Sequence, residues 1–302
     1  MPIITVSNLA KSYGSTRAVQ DISFEVERGE IFGILGPNGS GKTTTIECLA
    51  GLRTADAGSM RVLEIDPQAE PEAIRSLVGI QLQESRLPAK LRVAEALQLY
   101  AAFYPNPADT DMLLDRLGLT TKRKTAFEDL SGGQKQRLSV ALALVGNPQI
   151  AILDELTTGL DPQARREVWD LIEGIRDSGV TIVLVSHFMD EAERLCDRLI
   201  VIDEGLVVAE GTPRDLANAG VTGRSFRMRL PDPADARDLT ALPEVTSVHM
   251  IGDEIEVVGS RTVLPAVLAA LHTNGIVPDE VRTISRTLED AYVDLVGAHT
   301  ME

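Results

Sequence analysis

The chain has 302 residues, of which 44% are hydrophobic and 25% are charged, and its formal net charge is −16 at pH 7. This length suffices for a large core and one or two domains, and the composition is ordinary for a globular protein. The acidic balance argues against a general affinity for nucleic-acid backbones or anionic lipid, both of which attract clustered Lys and Arg.

Targeting signals and metal-binding patterns are missing from the sequence. Residues 1–7 have no charged n-region, and no stretch approaches the 18 apolar residues of a membrane-spanning helix. Cys48 and Cys196 lie far apart in apolar, helical contexts, which indicates buried free thiols in a reducing compartment. We therefore expect a cytosolic protein, held by another chain if it works at a membrane.

The first elements are two half-buried strands, since residues 3–6 and 22–26 alternate between apolar and polar. Residues 11–14 between them are expected to form a loop with Tyr13 at its tip. An exposed tyrosine can stack on a nucleotide base, although a tyrosine in a loop more often has no such role.

Residues 36–44 match the pattern G-x-x-x-x-G-K-[ST] in full, between an apolar run and a helical segment. In this context glycines let the backbone N–H groups point at phosphate oxygens, and the helix start adds a positive dipole end. Lys42 would reach the β- and γ-phosphates, and the Thr43 hydroxyl would ligate Mg²⁺. A chance match to a Gly-rich turn is the disfavoured alternative. The residues of this predicted phosphate loop are Gly36, Pro37, Asn38, Gly39, Ser40, Gly41, Lys42, Thr43 and Thr44.

Three further segments follow the phosphate loop in the sequence. Residues 78–83 form an apolar strand that ends in glutamine, and residues 93–118 have helical periodicity interrupted by Pro105 and Pro107. Ser131-Gly132-Gly133-Gln134 then precedes a long helical run, which predicts a second helix N-terminus with free N–H groups. Taken alone, this segment favours an ordinary N-cap.

Carboxylates end the next buried strand. Residues 150–153 are apolar and lead into Asp154 and Glu155, at the edge where parallel sheets bind ligands. Asp154 is placed to hold Mg²⁺ through water, and Glu155 to orient or deprotonate an attacking water. Another apolar strand, residues 180–185, leads into Ser186 and His187 at the same predicted edge.

The C-terminal part has a separate pattern. Residues 220–223 are expected to be a linker, and the elements beyond follow roughly the order β-α-β-β-α-β-α of a small ferredoxin-like α+β unit. The sequence thus predicts domains at 1–220 and 221–302, with a helical subdomain at about 84–145. The second domain carries no catalytic cluster and is interpreted as an interaction or regulatory module.

In this order, the motifs closely resemble one family, the ATP-binding subunits of ABC transporters. The resemblance covers about the first 220 residues and is carried by the phosphate loop, Gln83, the segment Leu130–Gln134, Asp154-Glu155, Asp161 and His187. It implies an α/β P-loop NTPase fold of the ABC type. The expected parts are a mostly parallel core sheet, an antiparallel β subdomain and a helical subdomain.

The resemblance also implies roles residue by residue. Tyr13 would stack on adenine, and the triphosphate of ATP would be held by Gly39, Gly41, Lys42, Thr43 and Thr44. Thr43, Asp154 and Gln83 would serve Mg²⁺; Gln83 is preferred to Gln81 because its spacing from Gly79 fits the family pattern.

The resemblance implies three catalytic residues, which are Glu155, His187 and Gln83. Glu155 would be the base, and His187 would contact the γ-phosphate and the water. The segment Ser131, Gly132, Gly133 and Gln134 would bind the ATP of an opposite subunit, with Ser131 and Gly133 at its γ-phosphate, and Asp161 would bridge the two subunits. One departure is Leu156, where the family usually has proline.

The resemblance therefore implies a homodimer of two head-to-tail chains that ATP holds together. Residues 287–297 resemble the tail of ATPases from ABC-2 type exporters of drugs, antibiotics and polysaccharides, with Tyr292 at an aromatic position. This implies a separate membrane permease that docks on the helical insert and the Gln83 loop. Two alternatives stay open: a ribosome- or DNA-acting ABC ATPase, and a nucleotide-binding regulator without turnover. The single cassette, short insert and acidic charge disfavour the first, and Glu155 with His187 disfavours the second.

Overall fold

The computed structural model describes residues 1–81, 87–219, 224–284 and 287–292. The chain divides into two compact units, Met1–Leu216 and Ala217–Asp294. Among the described residues, no helix is both long and apolar enough to cross a membrane.

The first unit is built on a nine-stranded sheet in the order β4-β1-β2-β9-β8-β3-β7-β6-β5. Its central part is parallel: β3 pairs with β7 and β8, and β6 pairs with β5 and β7. Its antiparallel part pairs β1 with β2 and β4. The strands are β1 (Ile4–Tyr13), β2 (Thr16–Val26), β3 (Ile31–Leu35), β4 (Ala57–Val62), β5 (Val78–Gln81), β6 (Ile150–Asp154), β7 (Thr181–Ser186), β8 (Arg198–Asp203) and β9 (Leu206–Gly211).

Every residue of β3, β6 and β7 is buried, as expected for parallel strands covered on both faces. The surrounding helices are α1 (Lys42–Leu49), α2 (Pro71–Leu77), α3 (Val93–Ala101), α4 (Thr110–Arg116), α5 (Gly132–Leu144), α6 (Pro162–Asp177), α7 (Met189–Leu195) and α8 (Pro213–Ala217). Short 3₁₀ turns lie at Thr120–Lys122 and Phe127–Asp129. The parallel sheet, the antiparallel part and the helical part confirm the predicted fold class.

The start of the chain differs from expectation in one respect. Residues 11–13 belong to β1, and Tyr13 pairs with Thr16 across a two-residue turn, so these residues are not the predicted loop. The strand continues because Lys11 and Ser12 still pair with β2 and bond the Asp56 carboxylate. Cys48 and Cys196 are both buried and free, as predicted.

The second unit contains β10 (Arg224–Arg229), β11 (Val245–Ile251), β12 (Glu254–Gly259), β13 (Glu280–Ile284) and α9 (Val263–Thr273). All neighbours are antiparallel, in the order β11-β12-β10-β13, which is the ferredoxin-like order predicted. The first crossover, Pro233–Ala241, is a 3₁₀ helix rather than the expected α-helix. Residues 288–292 are helical, and the rest of the predicted last helix lies outside the described residues.

Candidate functional site

The predicted phosphate loop lies between β3 and the start of α1. Two of its glycines are required by their surroundings. A Cβ atom on Gly36 would lie 2.1 Å from the Ile202 carbonyl oxygen, and one on Gly41 would lie 2.4 Å from that of Ala18. Gly41 also has φ 107°, a left-handed conformation that side chains disfavour. The loop can therefore pack this closely against neighbouring backbone only with glycine at both positions.

Lys42 is buried inside the curl of this loop. Its Nζ donates hydrogen bonds of 2.9 Å to the carbonyl oxygens of Gly36 and Pro37. Burial lowers the pKa of Lys42, while the nearby Glu155 and Asp154 carboxylates act in the opposite direction. An ammonium group has three N–H donors, so these two bonds leave one for an anion bound at the loop.

A cavity of about 360 Å³ opens at the loop and the start of α1. The described residues that line it are Ala18, Asn38, Gly39, Gly41, Lys42, Thr43, Thr44 and Glu155. Gly36, Pro37 and Ser40 belong to the loop but not to this lining. Backbone N–H groups, a helix N-terminus, hydroxyls and an ammonium group around one space form a site suited to phosphate.

Asp154 ends β6 beside this cavity and is 2% exposed. Its Oδ2 atom has no hydrogen-bond partner among the described residues. Burial raises the pKa of Asp154 to about 6, with Glu155 raising it further and Lys42 opposing both. A buried carboxylate oxygen without a partner suits a hard divalent cation, so this position fits the predicted Mg²⁺.

Glu155 and His187 come together across the parallel pairing of β6 with β7. Asp154 is in register with Val185, and the Glu155 N–H donates 2.9 Å to the Val185 carbonyl oxygen. This places Glu155 Oε1 at 3.1 Å from His187 Nδ1. Glu155 has φ 50°, a left-handed conformation that is uncommon outside glycine.

A buried glutamine, Gln81, lies next to Asp154. The Gln81 side chain is buried, and its Oε1 accepts a 3.1 Å hydrogen bond from the Asp154 N–H. Gln83, the residue chosen from the sequence, lies outside the described residues. The sequence analysis weighed Gln81 and preferred Gln83, and it missed Ala18, which carries no signal in the sequence.

The segment Ser131–Gln134 begins α5 with a capping box. The Ser131 Oγ accepts from the Gln134 N–H at 3.3 Å, and Gln134 Oε1 accepts from the Ser131 N–H at 3.1 Å. Ser131 and Gly132 are exposed, whereas Gly133 is buried. A Cβ atom added to Gly133 would come into contact with the Ala164 side chain. This segment is therefore presented outward and does not line the cavity described above.

Asp161 and Tyr13 also lie away from the cavity lining. Asp161 caps α6, and its Oδ1 accepts 3.0 Å bonds from the Gln163 and Ala164 N–H groups, which lower its pKa. Tyr13 is 41% exposed, with the Arg53 guanidinium 5.2 Å from its ring centre. One end of the sheet thus gathers the phosphate loop, Asp154, Glu155 and His187, but not these two residues.

Comparison with known proteins identifies the family to which this chain is similar. Residues 19–158 match a family model described as ABC transporter. Proteins named Nod factor export ATP-binding protein I match nearly the whole chain: that of Cupriavidus pinatubonensis is 38% identical over 98% of this chain and 91% of its own length. The one from Cupriavidus metallidurans is also 38% identical, over 98% of this chain and 97% of its own length.

Solved structures give the same result. The chain is similar to cbiO1 from Clostridium perfringens, described as part of the ABC transporter complex cbiONQ, with TM-score 0.67 and 29% identity over 72% of this chain and 91% of that one. It is also similar to the ATP-binding cassette MJ0796, described as a dimeric post-hydrolysis state bound to ADP and Pi, with TM-score 0.63 and 26% identity over 69% and 98%.

Proposed function

The chain belongs to the ABC transporter family as an ATP-binding subunit, and we propose that it powers an exporter by ATP-driven dimerisation, coupled to a separate membrane permease. One observation carries the proposed chemistry. A carboxylate, Glu155, both lines the phosphate-loop cavity and contacts an imidazole, His187.

Binding of the triphosphate is assigned to the phosphate loop. The backbone N–H groups at the start of α1, with the hydroxyls of Thr43 and Thr44, surround the cavity. Lys42 adds a positive charge that the loop carbonyls already orient. Fixed donors of this kind need no rearrangement as charge moves in the transition state, which is what phosphoryl transfer requires. Tyr13 is proposed to stack on the adenine.

Thr43, Asp154 and Gln83 are the residues proposed to hold Mg²⁺. The support within the described residues is the buried, unpartnered Oδ2 of Asp154 and the hydroxyl of Thr43 at the cavity. When bound, Mg²⁺ would supply positive charge that neutralises the phosphate oxygens.

Glu155 is proposed as the base that orients an attacking water and accepts its proton. Its carboxylate is nearly buried, and the His187 Nδ1 contact fixes the direction of one of its oxygens. His187 is more exposed than Glu155, and its ring is proposed to contact the γ-phosphate and the attacking water. This geometry suits general-base catalysis, which needs the base fixed within reach of its proton donor.

Dimerisation would complete two sites at once. Each chain has one phosphate loop and one outward-facing Ser131–Gln134 segment, which stands apart from its own cavity lining. Two head-to-tail copies would place the Ser131 and Gly133 N-terminus of α5 at the partner's ATP, with Asp161 between subunits. Loss of the γ-phosphate would then weaken the contact. The similar cassette MJ0796 is described as dimeric.

The exporter assignment is supported by relatives that match along nearly the whole chain and are named for Nod factor export. We propose a cargo among drugs, antibiotics, lipids or polysaccharides, and a position on the inner face of the cell membrane through the permease. Residues 221–302 are proposed as an accessory domain. The ribosome- or DNA-acting alternative is not favoured by these relatives.

The test compares wild type, Glu155→Gln and Glu25→Gln in an ATPase assay and in pull-downs from native membranes with ATP. Glu25 is an exposed carboxylate on β2 and serves as the matched control. We expect Glu155→Gln to bind ATP, dimerise and lose turnover by at least about a hundredfold, and to recover a polytopic membrane protein. Near-normal turnover in Glu155→Gln would refute the assigned base. Recovery of ribosomes or DNA in place of a membrane protein would favour the ribosome- or DNA-acting ABC ATPase.

A further inference from the structure

A further buried carboxylate lies close to His187 in the fold and has no part in the proposed chemistry. Glu191, on α7, is 0% exposed. Burying a carboxylate is unfavourable unless hydrogen bonds compensate, so its partners show what it holds in place. Burial raises the pKa of Glu191, while the hydrogen bond that it accepts from Ser186 acts in the opposite direction.

The two oxygens of Glu191 join two different elements. Its Oε2 accepts a 2.5 Å hydrogen bond from the Ser186 hydroxyl, at the end of β7. Its Oε1 accepts a 3.2 Å bond from Nε1 of Trp169, on α6. The Ser186 hydroxyl in turn accepts a 3.0 Å bond from the Phe188 N–H. One carboxylate therefore ties the residues on both sides of His187 to helix α6.

Further contacts join the residues beside His187 to helix α6. The Phe188 ring lies 4.0 Å from the His187 ring, and the guanidinium of Arg165 lies 4.8 Å from the Phe188 ring centre. Arg165 belongs to α6 and pairs with Asp190 of α7 at 2.8 Å. The N-cap of helix α6 is Asp161, the residue proposed to lie between subunits. The path from that turn to His187 therefore consists of one helix and a short chain of hydrogen bonds.

We propose that Glu191 is a positioning residue that fixes His187 against Glu155 and couples that pair to helix α6. The proposal rests on the proposed function, because it assigns the coupling to ATP bound at that site. It adds two consequences. Loss of the Glu191 carboxylate slows turnover without weakening ATP binding, and ATP bound at the site alters the surroundings of Trp169.

The kinetic test compares Glu191→Gln with Glu193→Gln, which removes a carboxylate from an exposed position on the same helix. We expect kcat to fall about tenfold in Glu191→Gln, with KM for ATP within about twofold, because the phosphate loop is unchanged. Glu193→Gln should match wild type. A loss of kcat and a rise of KM in equal measure would indicate general structural damage and overturn the proposal.

Ser186 gives an independent pair of variants that keep the carboxylate. Ser186→Ala removes the hydroxyl that joins Glu191 to the Phe188 N–H, whereas Ser186→Thr keeps it. We expect kcat to fall about tenfold in the alanine variant and to stay within about twofold in the threonine variant. Equal activities in the two would overturn the proposal even if Glu191→Gln failed to fold.

Trp169 is the chain's one tryptophan, so its fluorescence reports this contact without labelling. In Glu155→Gln, ATP with Mg²⁺ should shift the emission; the shift should disappear in Glu155→Gln/Glu191→Gln, while binding of a labelled ATP persists. A shift that survives in the double variant would overturn the coupling.

The proposed function and this inference can be refuted separately. A wild-type protein without ATPase activity refutes both. An active wild type with equal kcat in Glu191→Gln and Glu193→Gln refutes the inference alone.

Discussion

His187 Nδ1 lies 3.1 Å from Glu155 Oε1, although the two residues are 32 positions apart in the chain. The contact depends on the parallel register of β6 with β7, which brings Asp154 opposite Val185. The carboxylate is nearly buried and the imidazole is partly exposed. Glu155 lines the cavity, and the partly exposed His187 holds one of its carboxylate oxygens.

Replacement of His187 by alanine should lower kcat by about a hundredfold or more, because Glu155 loses the group that orients it and the proposed contact to the γ-phosphate would be lost. KM for ATP should change little, since the phosphate loop is untouched. Steady-state ATPase kinetics at saturating Mg²⁺ check this. His249→Ala, at an exposed histidine of the second unit, is the control and should keep wild-type rates.

Replacement of Asp154 by asparagine should abolish Mg²⁺-dependent turnover yet stabilise the ligand-free protein at pH 7–8. Burial raises the pKa of Asp154 to about 6, above its value of 3.8 when unperturbed. The folded state therefore disfavours the ionised carboxylate above pH 6 by ~1–3 kcal/mol. Below about pH 4 the group is protonated in both states, so the advantage of asparagine should disappear.

Thermal unfolding without nucleotide, from pH 8 to pH 4, checks this prediction. We expect the midpoint of Asp154→Asn to exceed that of wild type by a few degrees at pH 8 and to approach it as the pH falls from 6 to 4. Asp115→Asn, an exposed position on α4, controls for the loss of one charge. A less stable Asp154→Asn protein at pH 8 would show that the carboxylate is not strained in the ligand-free state.

Replacement of Leu156 by proline should destabilise this chain, although proline is what the family pattern has there. Leu156 is 0% exposed, and the preceding Glu155 has φ 50°. Proline drives the residue before it toward extended conformations with negative φ, so Glu155 would leave its position opposite His187. Loss of the buried side chain adds ~2–5 kcal/mol.

Leu156→Ala separates these two effects. It removes the buried side chain but leaves the backbone of Glu155 free to keep its conformation. Urea unfolding of both variants should show a loss in each, with ATPase activity lost in the proline variant and largely kept by the folded alanine variant. Wild-type activity in Leu156→Pro would mean that Glu155 works from another backbone conformation.

Replacement of Gly41 by alanine should remove ATP binding, because the new Cβ would meet the Ala18 carbonyl oxygen at 2.4 Å and φ is 107°. Gly29→Ala is a matched control: its φ is 81°, but nothing lies within 4 Å of the added Cβ. Titration with a fluorescent ATP analogue should show affinity lowered at least about tenfold for the first variant and unchanged for the second. Both substitutions carry conformational strain of about 1–2 kcal/mol. A tight-binding Gly41→Ala protein would mean that the loop can move away from β2.

Sequence alone predicted the parts of this protein that depend on neighbouring residues. The phosphate loop follows from glycines at set spacings between an apolar run and a helix, all within one short stretch of sequence. The N-cap at Ser131 is likewise a local pattern, to which the structure adds the reciprocal bond from Gln134. Period-two and apolar runs predicted the strands and the ferredoxin-like order, although not the extent of β1 or the 3₁₀ crossover.

The tertiary structure decided which distant residues meet. Strand register places Glu155 against His187 and Gln81 against the Asp154 N–H, and one step of slip would turn these side chains away. Packing of α7 against α6 and the end of β7 brings Trp169 and Ser186 to different oxygens of Glu191. No local pattern marks such pairs, because each side chain alone is compatible with many surroundings. Their contacts arise only when the fold brings the two partners to one place and removes at least one of them from water.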